Sequence, residues 1–496
     1  MASPPSEIEE APEPGHVRAL SIATALVIGS LWLVPLFSSL WLDELGTWWV
    51  VKDGFRETVD RALAFHGQSP LYYLILWATR NVGGHSEVVL RLPSLLAAAM
   101  SAILLYRLAR TLIGNEAARL AVLTFAATQL VGFEASEARP YAMATTAVIA
   151  STYALVRWLD EGHRLSLALV YAVLAITVVW LHYLFGLVLV PQAVYAFVRV
   201  RRRETDASVG RLIAVAMVVM VGVVPLALQL ASLWDRRSSL SIPSEATLSD
   251  FAAVLVPPVL TASLFLGSLL ARMQGRVRII PAIARSSTLV LLGGWLLFPV
   301  VALFLVSAMT PVTLLSPRYF ASAAPAAALL AGWGIASIDP PAVRRIIAVA
   351  LALLSVLAYG GRLKNGGDWG GAADFERAHA GPDTILLLHP ALVESAQLDW
   401  FADPEKRSYL LSVQSYYPME GRVTPMPFLL DDEARAYLED LAAGELAGAD
   451  RFLLVTRYPQ VPFREWLDGR LTSEGFRSRV IGAFGVIQVI EFARSS

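Results

Sequence analysis

Long apolar runs alternate with short polar loops over the first 360 residues, at about 18–40, 88–108, 117–135, 140–158, 166–181, 184–199, 211–232, 251–271, 287–308, 319–336 and 343–360. A helix that crosses a bilayer needs ~20 mainly apolar residues, because each of its backbone N–H and C=O groups must be satisfied within the segment. The pattern therefore predicts an all-α polytopic membrane protein of about eleven transmembrane helices, counted by that length. Ser69–Ala78 (SPLYYLILWA) is apolar over only half the required length. It reads as a helix lying in the interface, with Tyr72, Tyr73 and Trp77 at headgroup level.

From about Gly361 the pattern changes. Short strand-like runs occur at Thr384–His389, Ser408–Val413, Arg451–Thr456, Arg479–Gly482 and Val486–Phe492. Helical patterns lie between them at Ala391–Phe401, Asp432–Ala443 and Phe463–Glu474. Such alternation indicates a small α/β domain with a mainly parallel sheet closed by a hairpin. The expected organisation is a disordered cytoplasmic tail over 1–16, a membrane domain over 17–360 with a large first outer loop at 41–87, and a soluble extracytoplasmic domain over 361–496. The α/β domain carries no phosphate loop or nucleotide fingerprint, so no nucleotide or organic cofactor is expected. It reads as a lid, an acceptor-recognition module or a stabilising cap.

Composition agrees. Of 496 residues, 56% are hydrophobic and 16% charged, with mean hydropathy +0.56. A soluble protein covers its surface with roughly 25% charged residues, so lipid must solvate much of this one. A formal charge of −1 excludes a nucleic-acid binder that works through a broad basic face. The absence of cysteine excludes disulfides, a thiolate nucleophile and cysteine metal sites.

Basic residues fix the expected orientation, since Arg and Lys remain on the cytoplasmic side. With the N-terminus inside, the inner loops hold Arg107 and Arg110, Arg157 and Arg164, Arg199 to Arg203, Arg272 to Arg285, and Arg344 and Arg345. Residues 41–93 instead balance Asp43, Glu44, Asp53, Glu57, Asp60 and Glu87 against five bases. The Arg199–Arg203 cluster reads as a topology determinant and a contact for anionic lipid.

The chemistry-bearing residues gather on the outer side. Asp43 and Glu44 follow the first span among Trp41, Leu42, Leu45, Trp48 and Trp49; they can serve as general base or metal ligand, or as two solvated acids. Glu137-Ala138-Arg139-Pro140-Tyr141 turns into one helix and Pro317-Arg318-Tyr319 into another, with Arg91-Leu92-Pro93 a looser third case. A cation at a helix N-terminus opposes the helix dipole, which is reasonable if an anion such as a lipid phosphate sits there; the arginines can equally pair with Glu134, Glu137 or Glu87. His66 and His182, the latter beside Tyr183, lie on the same side and could bind a divalent metal, although no spacing enforces it. A single histidine is more often a packing residue.

In this order, Leu42-Asp43-Glu44, Ser69-Pro70-Leu71-Tyr72-Tyr73, Arg91-Leu92-Pro93-Ser94, Ser136-Glu137-Ala138-Arg139-Pro140-Tyr141-Ala142 and Pro317-Arg318-Tyr319 resemble the GT-C superfamily of membrane glycosyltransferases over about residues 18–336. The likeness is nearest to family 39, which includes protein mannosyltransferases and lipid A aminoarabinose transferases. It implies an integral membrane enzyme of the EC 2.4 class. Such an enzyme moves a sugar from a polyprenyl-phosphate donor to a glycolipid, glycan or protein acceptor outside the bacterial cytoplasmic membrane. Asp43 matches the first-loop catalytic acid, with Glu44 its neighbour. Arg139 and Arg318 match positions near the donor phosphate, to which Arg91, Tyr141 and Tyr319 are added. Tyr72, Tyr73, Glu137 and Tyr183 are expected against substrate. Gln68 stands where the aminoarabinose branch has a metal-binding carboxylate, which leaves a divalent metal open; His66 and His182 are its candidate ligands.

Breaking a glycosidic bond to phosphate needs cations for the leaving group and a base for the acceptor hydroxyl, which makes inversion with Asp43 as base the expected mechanism. The competing reading is a transporter or flippase of a lipid-linked sugar. That reading asks for charges along a path through the bundle rather than at one face. A ligase or polymerase using diphosphate-linked donors is a further enzymatic alternative.

Overall fold

The first apolar run becomes helix α1 (Pro14–Ile28), then loosens into a π turn (Gly29–Leu33) and a 3-10 turn (Val34–Phe37) around Pro35. The computed structural model describes residues 14–65, 68–162, 164–232, 258–273, 278–279, 285–310, 314–361, 367–457 and 461–494. Most of the tail expected over 1–16 lies outside them, as do His66 and the start of the run at 251–271.

After α1 come α2 (Leu42–Val51), α3 (Phe55–Ala64) and α4 (Leu71–Gly83), three short helices that make up the expected first loop. The bundle continues with α5 (Glu87–Ile113), α6 (Asn115–Ala127), α7 (Gln129–Ala135), α8 (Tyr141–Asp160), α9 (Leu165–Leu181), α10 (Leu189–Arg201) and α11 (Val209–Ser232). It closes with α12 (Pro258–Met273), α13 (Ser286–Met309), α14 (Ala324–Ala336, entered through a 3-10 turn at Pro317–Ala323) and α15 (Pro341–Tyr359). Within the described residues, every predicted span corresponds to helix. Among the described residues eight segments are long and apolar enough to cross a membrane, and Leu165–Leu181 and Val259–Leu269 are shorter apolar helices.

The run at 117–135 departs from expectation: it breaks at Thr128, whose backbone is extended, into α6 and α7. The Trp32 indole donates to Ala126 O (3.2 Å), satisfying a carbonyl that the break frees. Gly132 permits the close approach of α7, since a Cβ there would meet Leu31 Cβ at 3.1 Å and Leu31 O at 3.2 Å. The break aims α7 and the turn after it at α2. At the opposite end of the bundle, Arg199 is buried. It donates to Asp160 (3.0 Å), Tyr195 Oη (3.0 Å) and Glu204 O (2.6 Å), so it ties helix ends together instead of meeting lipid.

The C-terminal unit contains α16 (Trp369–His379), β1 (Ile385–His389), α17 (Pro404–Leu410), α18 (Ser412–Tyr416), β2 (Arg422–Pro425), α19 (Asp432–Ala443), β3 (Arg451–Arg457), α20 (Val461–Leu471), β4 (Phe476–Phe484) and β5 (Ile487–Arg494). Its sheet runs β2-β1-β3-β5-β4. β2, β1 and β3 are parallel, whereas β3, β5 and β4 are antiparallel. The parallel share is thus smaller than predicted.

Ser408–Val413 is helical, not a strand. Asp403 accepts from Glu405 N and Lys406 N (2.9 and 3.0 Å) and Pro404 occupies the first turn, a start signal that outweighs the short apolar run. Ala391–Phe401 forms two 3-10 turns instead of a helix. The domain docks through Tyr417 Oη, which receives Leu40 N (2.8 Å) and donates to Glu87 (3.0 Å), and through Trp49, whose indole donates to Ser408 (3.0 Å).

Candidate active site

Helix α2 begins the site. Asp43 and Glu44 occupy its first turn, where exposed N–H groups and the helix dipole favour acids, yet the two carboxylates have different fates. Glu44 is fully buried. Arg91 grips it with Nε to Oε1 (2.8 Å) and Nη2 to Oε2 (2.6 Å), while Trp41 N (3.2 Å) and Ala138 N (2.8 Å) donate to the same carboxylate. Arg91 also donates to the carbonyls of Leu36 (2.8 Å), Ser38 (2.6 Å) and Ser39 (3.1 Å). All of its N–H directions point into protein, so the phosphate role expected of Arg91 and the catalytic role expected of Glu44 give way to a structural one. The pair pins the end of the first span, α2 and the turn before α8 to one another.

Asp43 faces the other way. Its carboxylate is 27% exposed and meets two guanidiniums: it accepts a hydrogen bond from Arg318 Nη1, and Arg139 Nη2 lies 3.9 Å from the same oxygen. Arg139 is buried. Its Nη1 reaches Thr47 Oγ1 (3.4 Å), one turn along α2, and Ser94 holds its backbone oxygen (3.1 Å). Glu137 is also buried and accepts from the Trp41 indole (3.1 Å), so it braces the turn that carries Arg139. The sequence placed Asp43, Arg139 and Arg318 on one face; the fold brings them into contact from positions up to 275 residues apart.

Aromatic rings floor this group. The Arg139 guanidinium lies 5.8 Å from the Tyr141 ring and that of Arg318 lies 5.6 Å from Tyr319. His182 packs between Tyr141 (5.1 Å), Phe185 (4.9 Å) and Tyr319 (5.8 Å), with Arg139 and Arg318 as its charged neighbours. Two cations beside an aromatic cage repel a metal ion, and among the described residues no three metal-ligating side chains gather. The geometry makes His182 a packing residue of the site; the metal expectation for His66 lies outside the described residues.

Tyr73 is buried with Arg139 and Asp43 as electrostatic neighbours and donates to Gln68 (3.1 Å); Tyr72 lies against it, 5.5 Å between ring centres. Tyr183 is set apart from the acid, because its hydroxyl donates to Gln229 (2.7 Å), which in turn donates to Gln68 O (3.2 Å).

Three residues of the α/β domain escaped the sequence reading. Glu394 and Tyr409 both interact with Asp43 and Arg139, and Arg457 interacts with Asp43. Tyr409 Oη donates to Glu394 (3.1 Å) and packs edge-on against Trp49 of α2 (5.2 Å). The only sequence signal was weak: Arg457 ends the run RFLLVTR, and ligands of open α/β sheets gather at the carboxyl ends of strands.

Residues 67–228 match the family model described as dolichyl-phosphate-mannose-protein mannosyltransferase. This segment, about a third of the chain, includes Arg91, Arg139 and His182 but neither Asp43 nor Arg318. No curated protein matches the sequence. Among solved structures, ArnT from Cupriavidus metallidurans in the apo state is similar at 13% identity and a TM-score of 0.56, over 96% of this chain and 97% of that one. The same protein bound to undecaprenyl phosphate gives 14% and 0.54 over 97% and 98%. The Archaeoglobus fulgidus oligosaccharyltransferase in its apo form gives 11% and 0.52 over 97% of this chain and 74% of that one. The chain therefore has the GT-C fold, an apolar helical bundle joined to a small C-terminal α/β unit.

Proposed function

We propose that this GT-C protein is a membrane glycosyltransferase that moves a sugar from a polyprenyl-phosphate donor to an acceptor hydroxyl, with inversion at the anomeric carbon. The single observation that carries the reading is the meeting of Asp43 with Arg318 and Arg139 at the entrances of two helices. Similarity to a structure that binds undecaprenyl phosphate supports the choice of donor.

In this mechanism Arg139 and Arg318 take the donor phosphate, helped by the helix N-termini that follow them. Arg318 exchanges Asp43 for the phosphate, so donor binding frees the carboxylate at the moment a base is needed. The acceptor oxygen attacks the anomeric carbon, its proton passes to Asp43, and the C–O bond to phosphate breaks with its electron pair on the departing phosphate. Removing water from the site strengthens each of these electrostatic contacts. Tyr73 and Tyr141 supply apolar walls with polar edges for the donor head. Basic residues in alternate loops support an orientation with the N-terminus in the cytoplasm and the site and α/β domain on the extracytoplasmic side of a bacterial cytoplasmic membrane.

The test is transfer by purified protein in detergent, offered radiolabelled undecaprenyl-phosphate sugars and envelope extracts. Labelled product that requires Asp43 is expected. Failure of every donor, together with counterflow of a lipid-linked sugar in liposomes, would replace the enzyme by a transporter.

A further inference from the structure

The alternation of side chains along the sheet divides the α/β domain into two faces. Leu386, Leu388, Leu453, Val455, Ile487 and Val489 join the same hydrophobic core as α2 and the bundle. Ile385, Leu387, Phe452, Leu454, Ile490 and Phe492 face away, toward α19 and α20. Arg457 follows Val455 by two residues, so it belongs to the bundle-facing side at the carboxyl end of β3. Next to it, the carboxyl end of β1 leads into the turn that bears Glu394. Tyr409 and Trp49 link that turn to α2, and α2 carries Asp43 less than two turns before Trp49.

Arg457 is half-buried, and among the described residues its guanidinium makes no hydrogen bond or ion pair; the carboxylate that its charge interacts with is Asp43. Under the proposed function Arg139 and Arg318 are already committed. The donor phosphodiester and Asp43 supply two negative charges against Arg139 and Arg318. After transfer Asp43 holds the proton and the released phosphate monoester carries both negative charges. Arg457 is the cation that neither of these negative charges occupies, at the α/β-domain edge of the site.

We propose that Arg457 is an acceptor-binding residue, which selects acceptors bearing a phosphate or carboxylate near the hydroxyl that is glycosylated, held between α2 and the carboxyl edge of the sheet. This rests on the glycosyltransferase reading. Burial raises the Glu394 carboxyl above its ordinary range, which lessens the repulsion it offers to such an acceptor. A guanidinium suits either anion through paired N–H donors.

The experiment separates envelope extract into anionic and neutral fractions on an anion exchanger and uses each as acceptor with radiolabelled undecaprenyl-phosphate sugars. Wild-type protein is expected to label the anionic fraction. Arg457→Gln should raise the apparent KM for it roughly tenfold, the loss of one charge-assisted contact, with kcat nearly unchanged and Arg457→Lys recovering part of the difference. Undecaprenyl phosphate affinity and Tm should be those of wild type. Equal labelling of the neutral fraction, or an unchanged KM in Arg457→Gln, overturns the assignment. A second measurement needs no turnover: the anionic fraction should raise the Tm of wild type and not that of Arg457→Gln, and an equal shift in both defeats the proposal. If no donor is used at all while the Tm difference persists, it is the glycosyltransferase reading that fails.

Discussion

Arg91 and Glu44 close a two-pronged ion pair of 2.8 and 2.6 Å from which solvent is excluded, and six further backbone groups complete it. Removing one partner leaves the other charge buried without its counterion, a loss of ~3–5 kcal/mol. Arg91→Ala is therefore expected to fall in yield and Tm, with the residual folded protein still binding undecaprenyl phosphate. A stable Arg91→Ala protein with weakened phosphate binding would return Arg91 to the donor site.

Asp43, its neighbour in sequence, behaves oppositely. Asp43→Asn keeps the shape of the side chain and removes the proposed base, so turnover should drop by ~10²–10⁴-fold, the usual share of general-base help, at nearly unchanged Tm. Single-turnover rates measure this. Activity within fivefold of wild type would dismiss the role, that margin being about 1 kcal/mol in barrier height.

Arg318→Gln and Arg139→Gln each remove a charge-assisted contact worth roughly 1.5–3 kcal/mol. Undecaprenyl phosphate affinity should fall about 10- to 100-fold by the same arithmetic. Arg318→Gln also releases Asp43 from its ion pair. Quenching of tryptophan fluorescence on lipid addition provides the readout, and undiminished affinity in both variants would count against the phosphate assignment.

Glu394 makes stability depend on pH. Burial holds its carboxyl above the ordinary range in the folded state, so the folded protein binds the proton more tightly than the unfolded chain. The associated stability is present at acid pH and is lost as pH rises through the raised value. Glu394→Gln, which is permanently neutral and can still accept from Tyr409, should equal wild type in Tm near pH ~4, the unperturbed carboxyl range, and exceed it at pH ~8. A gap that narrows with rising pH would contradict this.

Gly332 tests the bundle itself. A Cβ there would lie 2.6 Å from Ala117 O and 2.6 Å from Ala121 N of α6. Backbone cannot swing aside as a side chain can, so Gly332→Ala should force α6 and α14 apart at a cost of ~1–3 kcal/mol. Thermal unfolding in detergent checks it, with Gly334→Ala, which meets nothing, as the control.

Much of the architecture was legible before any coordinates, because a bilayer imposes length and hydropathy on each crossing segment and those are local properties. Asp432–Ala443 was legible to the residue for a similar reason, its Asp431 cap and apolar spacing being adjacent in the chain. Ser408–Val413 was misread because six apolar and polar residues satisfy a strand or a helix equally, and the deciding cap lay just outside the run.

The candidate site divides along the same line. Residue type and position at helix ends marked Asp43, Arg139 and Arg318, since a cation opposing a helix dipole is visible in sequence. Which acid of Asp43-Glu44 is buried and which meets two guanidiniums was decided only when α2 met Arg91 of α5 and the turns before α8 and α14. Arg457 and Glu394 gained meaning only when the α/β domain settled on α2. Local composition determined that this chain spans a membrane; the partners of each charge are set by contacts between residues hundreds of positions apart, and no local pattern records them.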